Sequence, residues 1–207
     1  PMVRDVYTMV NLLLSLGSNI KIIKNKNIVK IRNNKKLKTF ASYQLLKTMR
    51  AGVLTLGPLL ARFKNAKISL PGGCAIGSRP VNLHLKALKM MGANIKIKDG
   101  YIIATAVNGL NGTTIRIPKI SVGATENILI AACYAHGKTI IKNCAIEPEI
   151  KDLYNFLVKM GCNIRWVKKR TIEVIGKNKF KSINYRVMFD RIEAGTYVIA
   201  SALTKGK

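Results

Sequence analysis

The residues best suited to chemistry lie in Leu70-Pro71-Gly72-Gly73-Cys74-Ala75-Ile76-Gly77-Ser78-Arg79-Pro80. A single cysteine occupies a glycine-rich turn, with Arg79 a few residues on. A thiol exposed beside a fixed positive charge has a lowered pKa and can act as a nucleophile or a proton donor. The adjacent glycines permit a tight turn and leave room for a ligand to approach the main chain. The same residues also fit an ordinary turn holding an inert cysteine, because free cysteine often serves as core packing. Ahead of the turn, Ile68-Ser69-Leu70 reads as a strand that Pro71 and the glycines end.

The other cysteines are Cys133, Cys144 and Cys162, and no Cys-x-x-Cys pair occurs. With only His84 and His136 besides, there is no zinc pattern, and no metal or cofactor is expected. Cys133 lies in the apolar run Ile128-Leu129-Ile130-Ala131-Ala132-Cys133-Tyr134-Ala135 and reads as core. Thiols without disulfide spacing fit a reducing cytoplasm. The sequence shows no signal-peptide pattern at Pro1-Met2-Val3-Arg4-Asp5 and no apolar run of membrane-spanning length, so no membrane partner is expected.

The charge is +27, from 36 Lys+Arg against 9 Asp+Glu. Such an excess invites a polyanion partner. The lysines, however, are spread through nearly every segment, aromatic residues make up only 6%, and no aromatic-basic run suits base stacking. Nucleic acid is therefore not the expected partner. The abundance of Lys, Asn and Ile also fits compositional drift, and a phosphate-bearing substrate would gain from the field in either case.

A search for self-similarity exposes the organisation. Leu16-Gly17-Ser18-Asn19-Ile20-Lys21 returns as Met91-Gly92-Ala93-Asn94-Ile95-Lys96 and again as Met160-Gly161-Cys162-Asn163-Ile164-Arg165, at intervals of about 70 residues. Each copy follows an amphipathic helical pattern and leads into a strand. The glycine after the last periodic residue predicts a left-handed helix cap. Each repeat also carries a second helix that is apolar nearly all round, at residues 51–61, 126–135 and 194–203. A helix without a polar face must be buried. Three of them predict helices inside and sheets outside, an inside-out α/β barrel lobe. The strand expected after Lys205-Gly206-Lys207 would lie beyond the sequence.

With these features in place, the chain resembles the UDP-N-acetylglucosamine 1-carboxyvinyltransferases, a family of enolpyruvyl transferases. The likeness is carried by Lys47-Thr48-Met49-Arg50-Ala51, Leu56-Gly57-Pro58-Leu59, Leu70-Pro71-Gly72-Gly73-Cys74, Gly77-Ser78-Arg79-Pro80-Val81, Ser121-Val122-Gly123-Ala124-Thr125, Glu147-Pro148-Glu149-Ile150 and Asp190-Arg191-Ile192-Glu193. The resemblance implies an enzyme of about twice this length, with two three-repeat lobes and an active site between them. Residues 1–189 would form one lobe, and residues 190–207 would begin the return into the second. The family's Lys-Asn substrate motif would precede Pro1, and the second lobe, with an aspartate base, would lie outside these residues.

The implied substrates are phosphoenolpyruvate and UDP-N-acetylglucosamine, joined in the committed step of peptidoglycan synthesis. By resemblance, Cys74 is the loop acid and the target of the epoxide fosfomycin. Arg50 and Arg79 meet the phosphate or carboxylate of phosphoenolpyruvate, for which a bidentate guanidinium is suited. Arg79, Pro80, Val81, Asn82 and Leu83, with Lys119, Ile120, Ser121 and Val122, hold the nucleotide. Arg191 is a conformationally responsive arginine near the lobe junction. Plainer roles exist: Arg50 flanking a helix, Pro118-Lys119-Ile120-Ser121 as a strand-to-helix turn, Glu147-Pro148-Glu149 as a helix start, His84 as a structural residue. Asn82 stands where the family usually has Asp, and Ile146 where a basic residue is common. Two other readings remain: the same fold serving another reaction, as in the shikimate-pathway synthase or RNA 3′-terminal phosphate cyclase, and a non-catalytic polyanion-binding remnant.

Overall fold

The computed structural model describes residues 3–33, 36–47, 49–70, 72 and 81–206. It opens with helix α1 (Arg4–Ser15) and the hairpin β1 (Asn19–Ile23) and β2 (Ile28–Arg32). Then come β3 (Phe40–Ala41), α2 (Tyr43–Leu46), a 3-10 helix (Arg50–Thr55), α3 (Leu56–Phe63), β4 (Asn65–Ser69), α4 (Asn82–Met90), β5 (Asn94–Lys98) and β6 (Tyr101–Thr105). The second half runs β7 (Thr114–Arg116), α5 (Val122–Ala132), β8 (Lys138–Lys142), α6 (Pro148–Lys159), β9 (Asn163–Lys168), β10 (Thr171–Ile175) and α7 (Arg191–Thr204).

The sequence repeat becomes a backbone repeat. After α1, α4 and α6 the chain makes the same turn, with Gly17, Gly92 and Gly161 at φ of 99°, 96° and 90°. In each, the glycine N–H and the next N–H bond back to two carbonyls of the last helical turn. The pairs are Gly17 to Leu14 and Ser18 to Leu13, Gly92 to Lys89 and Ala93 to Leu88, and Gly161 to Val158 and Cys162 to Leu157. This is the Schellman arrangement, which side chains with a Cβ adopt only at a cost. It throws the chain straight into a hairpin each time.

The two four-stranded sheets share one topology, β3-β4-β6-β5 and β7-β8-β10-β9. Within each, the first pair is parallel and joined by a helical crossover, and the remaining pairs are antiparallel. Each is a βαβαββ unit, a helical crossover between its parallel strands and a second helix before its hairpin. Alternation places Ala66, Ile68, Ile95, Ile102 and Ala104 in the core, and Lys67 and Lys96 outside. The middle of the core is the contact between α3 and α5. Leu56, Leu60, Ile128 and Leu129 there are fully shielded from solvent, each contributing about 2 kcal/mol of burial.

Two of the three apolar helices therefore lie inside, with sheets around them. The third does not. No α7 residue is buried, and Ile192, Tyr197, Val198, Ile199 and Leu203 are 63–80% exposed. The reason is the path of the preceding segment, which is tied along α6 and away from the centre. Lys181 N–H bonds to the Met160 carbonyl, Tyr185 Oη donates to Asp152, and the Tyr185 ring meets Phe156 edge-on at 5.2 Å. Ile130, read from sequence as core, is half-buried at the edge of the cluster.

Candidate functional site

Cys74, Arg79 and Pro80 lie outside the described residues, but both ends of their loop are fixed. Leu70 N–H bonds to the Gly100 carbonyl and Gly72 N–H to the Leu46 carbonyl, so the chain leaves β4 beside the end of α2. It returns at Val81, a buried residue that caps the N-terminus of α4. Asn82 follows, exposed, and Leu83, half-buried against the core.

Arg50 is half-buried at the first position of the 3-10 helix and lies near His84. His84, one turn into α4, is 5% exposed. Burial, reinforced by the Arg50 charge, lowers its pKa from 6.5 to about 4, so the ring is neutral at physiological pH. Its Nδ1 accepts a hydrogen bond from Asn127 Nδ2 at 3.0 Å. Asn127 is fully buried on α5. Its Oδ1 accepts from Gly57 N–H at 2.8 Å, and its Nδ2 also donates to the Val53 carbonyl at 3.0 Å. His84 is therefore structural in its packing, and its ring links α4 by hydrogen bond to Asn127 of α5 and lies against Gly123.

Lys119 and Ile120 are exposed in the segment leading to α5. Ser121 caps α5, its Oγ accepting from Ala124 N–H at 3.3 Å while its carbonyl accepts from Thr125 Oγ1 at 2.7 Å. Val122, half-buried, opens the helix, and Gly123 lies against the His84 ring. The Lys119–Val122 segment is thus the strand-to-helix turn that the plainer reading describes, and the same turn lies next to His84.

Arg191 belongs to a second cluster. Its guanidinium grips Glu149 through two bonds of 2.8 and 3.0 Å, and Asp190 caps the start of α7. The arginine holds the Glu149 carboxyl below its ordinary range, while burial and the Glu149 charge raise that of Glu126. Glu147-Pro148-Glu149 is a helix start, with Pro148 in the first turn of α6. The two clusters meet at successive residues of α5, Glu126 and Asn127. Sequence reasoning missed both. The detectable signal was polar residues in a helix otherwise too apolar to face water, since buried polar groups must find partners.

Helices packed within outer sheets of βαβαββ units, with Arg50 beside the start of α4, define a lobe of the enolpyruvyl transferase fold. The chain belongs to the family described as EPSP synthase (3-phosphoshikimate 1-carboxyvinyltransferase), whose model matches residues 1–207. It is 61% identical over 206 residues to the UDP-N-acetylglucosamine 1-carboxyvinyltransferase of Pelagibacter ubique (strain HTCC1062), covering 100% of this chain and 49% of that protein. It is 50% identical over 206 residues to the protein of the same name from Endomicrobium trichonymphae, again covering 100% and 49%. The enolpyruvyl transferase NikO from Streptomyces tendae shares the fold, with a TM-score of 0.84 at 18% identity over 97% of this chain and 47% of that one. The chain spans about half the length of the curated relatives it matches.

Proposed function

We propose that this chain is one lobe of an enzyme transferring enolpyruvyl from phosphoenolpyruvate to the 3-hydroxyl of UDP-N-acetylglucosamine. The observation that carries the reading is 61% identity along the whole chain to a relative named for that reaction. Residues 1–189 form the lobe, and residues 190–207 begin the return toward a second lobe. The exposed apolar surface of α7 supports that division, since a helix of this composition needs cover.

In the reaction, the sugar oxygen attacks C2 of phosphoenolpyruvate as C3 takes a proton. Loss of a C3 proton and of inorganic phosphate then restores the double bond. Cys74 supplies the proton. Arg50 and Arg79 hold the phosphate and carboxylate. Residues 79–83 and 119–122 hold the nucleotide, and Arg191, released from Glu149, responds to closure. Fosfomycin alkylates Cys74, and the enzyme works in the cytoplasm, with no described helix long and apolar enough to cross a membrane.

Two facing surfaces are needed to exclude water and to position both substrates. Phosphate release from the substrate pair, assayed with this chain alone and with a polypeptide supplying the other half, tests the reading. The chain alone should be inactive and the combination active. Comparable turnover by the chain alone would show that the site has been misplaced.

A further inference from the structure

We infer that Asn127 is a positioning residue, whose side-chain amide sets the relative placement of the three segments assigned to substrate: the Arg50 turn, the start of α4 and the start of α5. This deepens the proposed function and rests on it for the identity of the ligand.

Three observations converge. First, the amide is oriented by backbone groups of fixed polarity. Gly57 N–H can only donate and the Val53 carbonyl can only accept, so Oδ1 and Nδ2 are assigned without reference to the histidine. Nδ2 must then donate to His84 Nδ1, which places the ring proton on Nε2.

Second, the approach is close by construction. A Cβ on residue 57 would collide with Asn127 Oδ1 and lie 2.7 Å from the Asn127 carbonyl. Glycine there lets α3 reach the amide.

Third, the node touches each segment at a defined place. Val53 lies one turn after Arg50, and His84 two residues after Asn82. A Cβ on Gly123 would lie 3.4 Å from the His84 ring carbon Cε1 and 3.7 Å from Nε2. The amide lies at the centre, fully buried, and its hydrogen bonds run to Val53, Gly57 and His84. A group that satisfies backbone on one element and a side chain on another is the kind of support that keeps a binding constellation within a fraction of an ångström.

Asn127→Asp keeps the acceptor for Gly57 and removes both donors. In the 207-residue chain, long-range ¹H–¹⁵N spectra of the imidazole report which nitrogen carries the proton. The native protein should show Nε2–H, and N127D should shift it to Nδ1–H, facing the new carboxylate. Amide resonances of residues 50–55, 81–84 and 121–124 should move together, while those of β5 and β9 stay. Affinity for UDP-N-acetylglucosamine, titrated in the same spectra, should fall at least about tenfold.

If N127D does not fold, His84→Gln and His84→Leu replace it. Gln retains an acceptor for Nδ2 and should keep both the amide positions and the affinity; Leu should lose both. An unchanged tautomer with shifts confined to α5 in N127D, or equal behaviour of the two His84 variants, would overturn the positioning role. A native chain that ignores the nucleotide sugar even when a polypeptide supplies the other half would sink the functional reading instead, leaving the tautomer and the three-segment shifts to decide this one.

Discussion

The unit β3 to β6 and the unit β7 to β10 are built on one plan, and they differ where chemistry is expected. The connection after β4 spans residues 70–81 and contains Cys74; the matching connection after β8 spans residues 143–147 and contains Cys144. The short connection is tied down throughout. Asn143 Nδ2 donates to the Ile117 carbonyl, Cys144 exchanges bonds with Arg170, and Ala145 N–H donates to Thr125 Oγ1. Cys144 is fully buried and its thiol is pushed up to about 11, chiefly by that burial.

Counting back from the two Schellman turns sets His84 against Leu153. On the outer faces, Ile103 pairs with Lys67 and Lys96, where its counterpart Glu173 pairs with Ile140 and Arg165. The second sheet neutralises its arginine at 2.7 Å; the first leaves Lys67 over the rings of Phe40 and Tyr101. The repeated fold thus keeps its topology and varies in the connection, in the helix residue that follows it and on the outer face of the sheet. Here the first unit carries the candidate acid Cys74 and the arginines Arg50 and Arg79, while the second contributes the Lys119–Val122 turn and the Asn127 amide.

The largest effect should come from breaking what the units share. Leu56→Asp and Ile128→Asp each place an unpaired charge at the α3–α5 contact, which should cost about 4 kcal/mol or more. Thermal melts should show both variants largely unfolded, and a native transition in either would reject the central-helix arrangement.

A smaller effect should separate the units. His84 is buried neutral, so its folded pKa lies below its unfolded value. Between about pH 6.5 and 4 the unfolded chain binds the proton and the folded one does not. Stability should therefore be complete above 6.5, decline as pH falls, and level off near 4, a loss of roughly 3 kcal/mol. Denaturant titrations across that range should show the slope reduced in His84→Leu, which installs the residue of the second unit. An unchanged slope would mean that other groups carry the acid sensitivity.

Much of this was legible in the sequence because it is local. The glycine of each repeat specifies a cap through its own backbone, and the apolar runs at 51–61 and 126–135 specify burial through composition. The α7 helix shows the limit: apolarity says that a surface needs cover, and says nothing of where the cover lies. Arg50, residues 81–83 and residues 119–122 were named as candidates by motif, but the one buried amide shared by the elements they begin was not legible, because Asn127 joins positions far apart in the chain. The approach of Lys67 to Phe40 and Tyr101 was hidden for the same reason, since strand pairing assembles it from three segments. Cys133 was correctly read as core, and its proximity to Cys162 was not visible. The Cys133 thiol donates to the Leu129 carbonyl, and the neighbouring Cys162, together with burial, pushes it well above its usual range.

The contrast between the two connections is tested most directly by the rates at which their thiols react. Brief alkylation of the 207-residue chain at neutral pH, followed by site-resolved mass spectrometry, compares Cys74 with Cys144 in one sample. Reactivity follows thiolate fraction and access. Cys74 should be labelled first, at least about tenfold faster than Cys144, with Cys133 also protected. Labelling of Cys144 or Cys133 as fast as Cys74 would contradict the assignment of the acid to the first unit.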